Sequence, residues 1–163
     1  TVVSALTKQT ANFAGVYSFI EEMKKIGKRP ETRVLSFEQE EADKRLARAL
    51  QLSLGESVFK VSRLRLADNE PLMVETSYLP VKTFISLTQE QLEKIRLADE
   101  EFYASIATEE DAEVLEIHLG APVLHLVRTT YNMKNEVIEY TISVAKADQF
   151  HYKVRHLRNQ EKN

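Results

Sequence analysis

Residues 43–63 overlay residues 108–128 at a constant offset of 65, and that repeat constrains the fold more than any other feature of the chain. Ala47, Leu50, Leu52, Gly55, Val58 and Arg63 coincide with Ala112, Leu115, Ile117, Gly120, Val123 and Arg128. A short helix, a glycine turn and a strand ending in arginine therefore occur twice. Each copy runs on through turn residues, Asp68-Asn69-Glu70-Pro71 in the first and Lys134-Asn135-Glu136 in the second. The segments that follow, LMVETSYL and VIEYTISV, read as return strands of hairpins. Both return strands carry an acid, Glu75 and Glu139. Two copies are too few for a solenoid. The pattern predicts an α+β fold in which two helix–hairpin units pool their strands into one largely antiparallel sheet, with helices on one side and a pseudo-symmetry between the halves.

Around the repeat, Val16, Phe19, Ile20, Met23 and Ile26 recur at helical spacing, and Gly27 and Pro30 supply a stop, which predicts a helix over 16–26. Residues 32–38 alternate apolar and polar and read as a strand, followed by a helix over Ala42–Leu50. Gly27, Gly55 and Gly120 are read as closing the helical patterns. The first copy thus has a strand ahead of its helix, whereas its counterpart near 98–103 reads ADEEFY, and Leu92–Ile106 reads as helical or irregular. From this mismatch about 15 to 25 residues, including a strand, are expected to be missing between Ile106 and Ala107.

Composition narrows the function classes. The chain of 163 residues is 43% hydrophobic and 29% charged, which suits one folded domain. Its 22 basic and 25 acidic side chains leave a net charge of −3, without the basic excess of a self-sufficient nucleic-acid binder or membrane-surface protein. With no cysteine there are no disulfides, thiol nucleophiles or thiolate metal sites, and a cytoplasmic setting is expected. Apolar runs are too short for a membrane span, and the start, TVVSALTKQT, has no leader pattern. Phosphate loops, nucleophile elbows and zinc motifs are missing from the sequence. His118, His125, His151 and His156 are scattered and read as packing or surface residues. No metal, cofactor or catalytic residue is expected.

One constellation stands out. In the strand VFKVSRLRL, Arg63 and Arg65 share a face with Phe59 and Val61 at period two. If a three-residue loop over Asp68–Glu70 pairs residue 67 with 71, Arg63 falls opposite Glu75. Spacing alone leaves two readings open, a cross-strand ion pair on a wet sheet face and a pocket whose guanidinium forks take a carboxylate or phosphate. The repeat places Arg128 and Glu139 at matching positions in the second half.

At these residues the chain resembles the effector-binding UTRA domain of GntR-type transcription regulators of the HutC subfamily, a fold related to chorismate lyase. The likeness rests on FIEEMKKIGKRPETRVLSF, ADKRLARALQLSLGESVFKVSRLRLADNEPLMVETSYLP and EEDAEVLEIHLGAPVLHLVRTTYNMKNEVIEY, in the family's order. The resemblance implies a sensor of a small-molecule effector, a sugar phosphate or other small polar metabolite, that forms a homodimer. It implies contact with DNA only through an N-terminal winged helix-turn-helix domain outside this chain, no membrane partner, and the role of a repressor. On this reading residues 1–14 are a linker and 15–163 the sensor domain, with the family's loop and strand falling at the inferred gap.

Carried over by position, effector-binding residues fall on Ser18, Phe19, Arg63, Arg65, Glu75, Glu101, Tyr103 and Glu139. The start of the first helix would add backbone N–H groups suited to an anion. Sugar-phosphate-sensing members place a hydroxyl residue just before the segment matching Phe102-Tyr103, where this chain has Glu100 and Glu101, and carry Tyr-Arg where it has Ala145-Lys146. A less charged effector, or one with an amine, fits equally well. The alternative is a lyase-like enzyme in which Arg63, Arg65 and Glu75 handle an aromatic carboxylate.

Overall fold

The computed structural model describes residues 26–86, 95–149 and 155–158. Its elements in chain order are β1 (Pro30–Glu41), α1 (Lys44–Leu50), β2 (Ser57–Ala67), β3 (Glu70–Pro80), α2 (Val81–Ser86), β4 (Ile95–Ile106), α3 (Glu109–Leu115), β5 (Pro122–Asn132) and β6 (Val137–Lys146). The six strands form one sheet in the order β1-β2-β3-β6-β5-β4, each neighbouring pair antiparallel. The predicted α+β sheet is therefore present, and the two halves meet at its centre, where β3 pairs with β6 from Met73↔Ala145 to Tyr78↔Tyr140.

The repeat extends further than the six matched residues. Adding 65 to the bounds of β1, α1 and β2 gives those of β4, α3 and β5. Local chemistry repeats with the bounds. Asp43 caps α1 by accepting from Leu46 N–H, and Thr108 caps α3 by accepting from Asp111 N–H. Gln51 and Glu116 end the helices in the left-handed region at φ 56°. The helices therefore close on these residues, and Gly55 and Gly120, also at positive φ, instead make the later turn into the strand.

The expectation of a helical or irregular 92–106 is corrected by β4, which runs to Ile106 and pairs with β5 from Ile95↔Asn132 to Ile106↔Pro122. Ala107 then donates to the Ala121 carbonyl at 2.8 Å, as Ala42 donates to that of Glu56. The strand thought to be missing is thus in place, and the mismatch from which a gap was inferred disappears. The predicted first helix, apart from Ile26, lies outside the described residues.

The turn between β2 and β3 has two residues, Asp68 and Asn69, at φ 49° and 67°, rather than three. A bulge at Leu72 restores the lost residue, because Leu66 faces Pro71 while Arg65 faces Met73. Arg63 consequently lies opposite Glu75, the register anticipated from the sequence.

Helices α1 and α3 cover one face of the sheet, here the helix face. Leu46, Ala47 and Leu50 of α1 pack with Val58 and Tyr78 of the first half and Val137 of the second. Ala112 and Leu115 of α3 pack with Leu64, Leu66 and Val74 of the first half and Val123 and Val144 of the second. Each helix therefore buries its apolar side against strands of both repeats, which locks the halves together. Among the described residues no helix is long and apolar enough to cross a membrane.

The caps allow a direct check of this local account. Asp43→Ala and Thr108→Ala should each cost about 1 kcal/mol. The double variant should lose roughly the sum, since the two caps share no partner. Urea unfolding measures all three, and unchanged midpoints in both single variants would show that the caps contribute nothing.

Candidate effector-binding site

The other face of the sheet is organised around charge. Apolar clusters occupy its two ends: Phe59, Val61, Leu79 and Ile138, joined by Phe84 of α2, at one, and Ala67, Leu72, Met73 and Ala145 at the other. Between them runs a belt of buried polar side chains, with Arg63 and Arg65 on β2, Glu75 and Ser77 on β3, and Glu139, Thr141 and Ser143 on β6. Strand alternation puts them together, because Arg63 and Arg65 share parity and face or flank residues 75 and 77, which in turn face 143 and 141.

Both arginines are only 1% exposed. Arg65 donates through Nε to Glu75 Oε2 at 2.9 Å, and its Nη2 makes an ion-pair contact with the same oxygen at 2.7 Å. Its Nη1 donates to Thr32 on β1. Arg63 approaches the same Glu75 oxygen at 3.4 Å and donates to the Ser77 hydroxyl at 2.6 Å. Burial pushes the Arg63 guanidinium below its ordinary value, with Arg65 adding to that push and Glu75 and Glu139 opposing it. One carboxylate thus holds two guanidiniums, leaving this triad with an excess positive charge inside the protein.

The belt continues into the second half. Ser77 donates to Glu139 Oε1 at 3.2 Å, and Thr141 donates to the same oxygen at 2.5 Å. Burial pushes the Glu139 carboxyl above the usual carboxylate range. Arg128, the repeat counterpart of Arg63, turns to the outer strand, donating through Nε and Nη2 to Glu100 at 3.0 and 2.6 Å. It lies opposite Thr141 and so belongs to the belt face, but it is closer to solvent than Arg63.

Of the residues expected from the sequence, Arg63, Arg65, Glu75 and Glu139 converge on this belt. Ser18 and Phe19 lie outside the described residues. Glu101 and Tyr103 face Val127 and His125, one residue out of phase with Glu100 opposite Arg128, and therefore lie on the helix face, across the sheet from the arginines. The Tyr103 ring stacks on His125, with centroids 4.8 Å apart. Glu100, not Glu101, is the acid on the belt face. Sequence reasoning missed Ser77, Thr141, Thr130 and Thr32; period two counted from Glu75 and Glu139 reaches Ser77 and Thr141, while Thr32 required the β1 register.

The model of the UTRA domain matches residues 25–151. The chain belongs to the UTRA domain family. Its relatives include the HTH-type transcriptional repressor NagR of Bacillus subtilis, 32% identical in an alignment of 149 residues that covers 83% of this chain and 61% of NagR. The mannosyl-D-glycerate transport/metabolism system repressor MngR of Escherichia coli is 26% identical over 74% of this chain and 56% of its own length. This UTRA domain therefore spans about six-tenths of the curated relatives it matches. The ligand-binding domain of a GntR-family regulator from Bordetella bronchiseptica superposes with a TM-score of 0.71 at 27% identity, over 79% of this chain and 90% of that one. The effector domain of PhnF from Mycobacterium smegmatis shares the fold, with a TM-score of 0.75 at 19% identity over 85% and 94% of the two chains.

The ion pairs of the belt should differ sharply in their effect on stability. Glu75→Ala leaves two buried guanidiniums uncompensated and should cost about 3 to 5 kcal/mol. Glu100→Ala removes the partner of a more exposed arginine and should cost about 0 to 1 kcal/mol. Equal losses in urea unfolding would mean that Glu75 does not carry the buried charge.

Proposed function

We propose that this chain is the sensing part of a transcription regulator and that its effector binds on the arginine belt. The observation that carries the reading is the buried triad, in which Glu75 positions two guanidinium groups between apolar clusters. A site of this kind suits a small ligand with an anionic group and hydroxyls, the anion meeting Arg63 and Arg65 and the hydroxyls meeting Ser77, Thr141 and Glu139. The sugar-phosphate class fits, as does a hydroxylated carboxylate. The glycerate in the name of MngR is of that second kind. Because Glu101 lies across the sheet, its charge does not stand against an anion on the belt.

In this reading the domain works in the cytoplasm as a homodimer, without catalysis. Effector binding changes the dimer's geometry and thereby the DNA affinity of an attached winged helix-turn-helix domain, acting as a repressor's switch. The effector moves that equilibrium only by its differential affinity for the two arrangements. Support for self-association comes from the outer strands, whose exposed apolar side chains include Val34 and Leu35 on β1 and Leu97 and Ile106 on β4. A sensor rather than a lyase is favoured because the relatives are regulators.

Native mass spectrometry of the protein purified from its own host tests both parts. It should find a two-chain species carrying a small anionic metabolite. Arg63→Lys and Arg65→Lys keep the buried charge but lose the planar fork, so each should weaken retention about 10- to 150-fold, the equivalent of about 1.5 to 3 kcal/mol of charge-assisted bonding. A metabolite held equally by wild type and both variants would place its site away from the belt.

A further inference from the structure

Glu75 and Glu139 both lie on return strands but not at equivalent places: Glu75 faces Arg63, whose counterpart Arg128 faces Thr141, whereas Glu139 faces Thr130, the counterpart of Arg65. Glu75 is gripped by guanidiniums, whereas the hydrogen bonds to Glu139 come from hydroxyls. Glu139 is 3% exposed. Its Oε1 receives both Ser77 and Thr141, while its Oε2 is buried and, among the described residues, has no hydrogen-bond partner. Thr130, directly across the ladder on β5, is 1% exposed, and its hydroxyl is likewise unpartnered among the described residues.

An ionised carboxylate is an acceptor at both oxygens, and burying one of them without a donor is costly. A carboxylic acid needs donors at one oxygen only and offers a proton from the other. The arrangement of one oxygen served twice and the other not at all fits the acid. We propose that Glu139 is protonated in the effector-free domain, its Oε2–H available to the effector, so that Arg63, Arg65 and Glu75 leave the belt with a net charge of +1. This rests on the belt being the effector site, and it deepens that reading: the site selects an anion because Glu139 does not cancel its charge.

The groups around Glu139 bear on its proton from every described strand of the belt. Arg63 on β2 favours ionisation and Glu75 on β3 opposes it, while Arg65 is held by Glu75. Ser77 and Thr141 donate to Oε1, which favours the charged form, and Thr130 stands opposite on β5. Arg128 is engaged by Glu100 of β4, and Thr32 of β1 is engaged by Arg65. Burial outweighs these influences and pushes the carboxyl up. The folded state therefore binds more protons than the unfolded chain between the ordinary glutamate value, about 4.3, and the raised one. Glu139's contribution to stability is fully present below that ordinary value and is lost as pH rises through the window. Anion affinity is lost as pH passes the raised value, when a second carboxylate appears in the belt.

Carboxyl-13C NMR of glutamate-labelled protein tests the proton directly. One glutamate should titrate above the ordinary glutamate range, and its resonance should be missing in Glu139→Gln. A protein whose glutamates all titrate in the ordinary range, or whose shifted resonance persists in Glu139→Gln, overturns the proposal. If Glu139→Gln does not fold, through-bond assignment of the wild-type resonance decides the same question. Sulfate, whose charge is constant from about pH 5 to pH 9, is the probe for the coupling. Its apparent affinity, read from thermal stabilisation, should fall about tenfold or more across Glu139's titration in wild type and stay level in Glu139→Gln. An equal pH response in the two proteins contradicts the coupling. Failure of sulfate to stabilise either protein counts against the belt as the anion site, while the NMR titration still decides whether Glu139 holds a proton.

Discussion

Two guanidiniums buried on one strand must be compensated inside the protein, and the single carboxylate of Glu75 does this for both Arg63 and Arg65. Much of the belt face follows from that requirement. Glu75 can serve both arginines only if β2 and β3 pair with Arg63 opposite it, and the bulge at Leu72 delivers this register from a two-residue turn. Ser77 then falls within reach of Arg63 and passes the polar chain to Thr141 and Glu139 on the central partner strand β6. Replacing such a cluster with apolar side chains is often neutral or stabilising for a fold. Its presence among apolar clusters is therefore weak evidence of a stabilising role.

The sheet's pseudo-symmetry supplies two nearly equivalent halves, and the candidate site lies where they cease to be equivalent. In the first half the arginines turn inward to the return strand. In the second, Arg128 turns outward to Glu100, the position of Arg65 is taken by Thr130, and Glu139 is left among hydroxyls. The buried charged triad thus lies on one side of the central β3–β6 pair, while the other side holds hydroxyls, Glu139 and the more exposed Arg128–Glu100 pair. A ligand lying across that pair would meet the guanidiniums on one side and hydroxyls with Glu139 on the other. Helices α1 and α3 pack on the opposite face, each across both halves.

How far the sequence revealed this depended on burial. The repeat was legible because helix, turn and inner strand each carry a buried pattern, and the offset of 65 reproduces three element boundaries. The Arg63–Glu75 pairing was legible for the same reason. Strand β4 was not, since as an outer strand it is exposed along most of both faces and tolerates the acidic run Asp99-Glu100-Glu101, which erases the alternation that marks a half-buried strand. Its stability comes from the ladder with β5, which no local pattern announces. Losing β4 also cost the phase of the site residues there. A one-residue error moves a side chain through the sheet, which is why Glu101 and Tyr103 were expected at the belt while Glu100 is the acid that faces it. The helix ends were misjudged because Gln51 and Glu116 adopt the left-handed conformation that glycine ordinarily takes.

The central claim is that the buried arginine belt, rather than the helix face, receives the effector. A crystal structure of the domain bound to the metabolite retained from its host tests this most directly. The account predicts an anionic group of that metabolite on the guanidiniums of Arg63 and Arg65, with Glu75 still holding both side chains. A metabolite seated on the helix face against Tyr103 and His125, with the belt's hydrogen bonds unchanged, would contradict it.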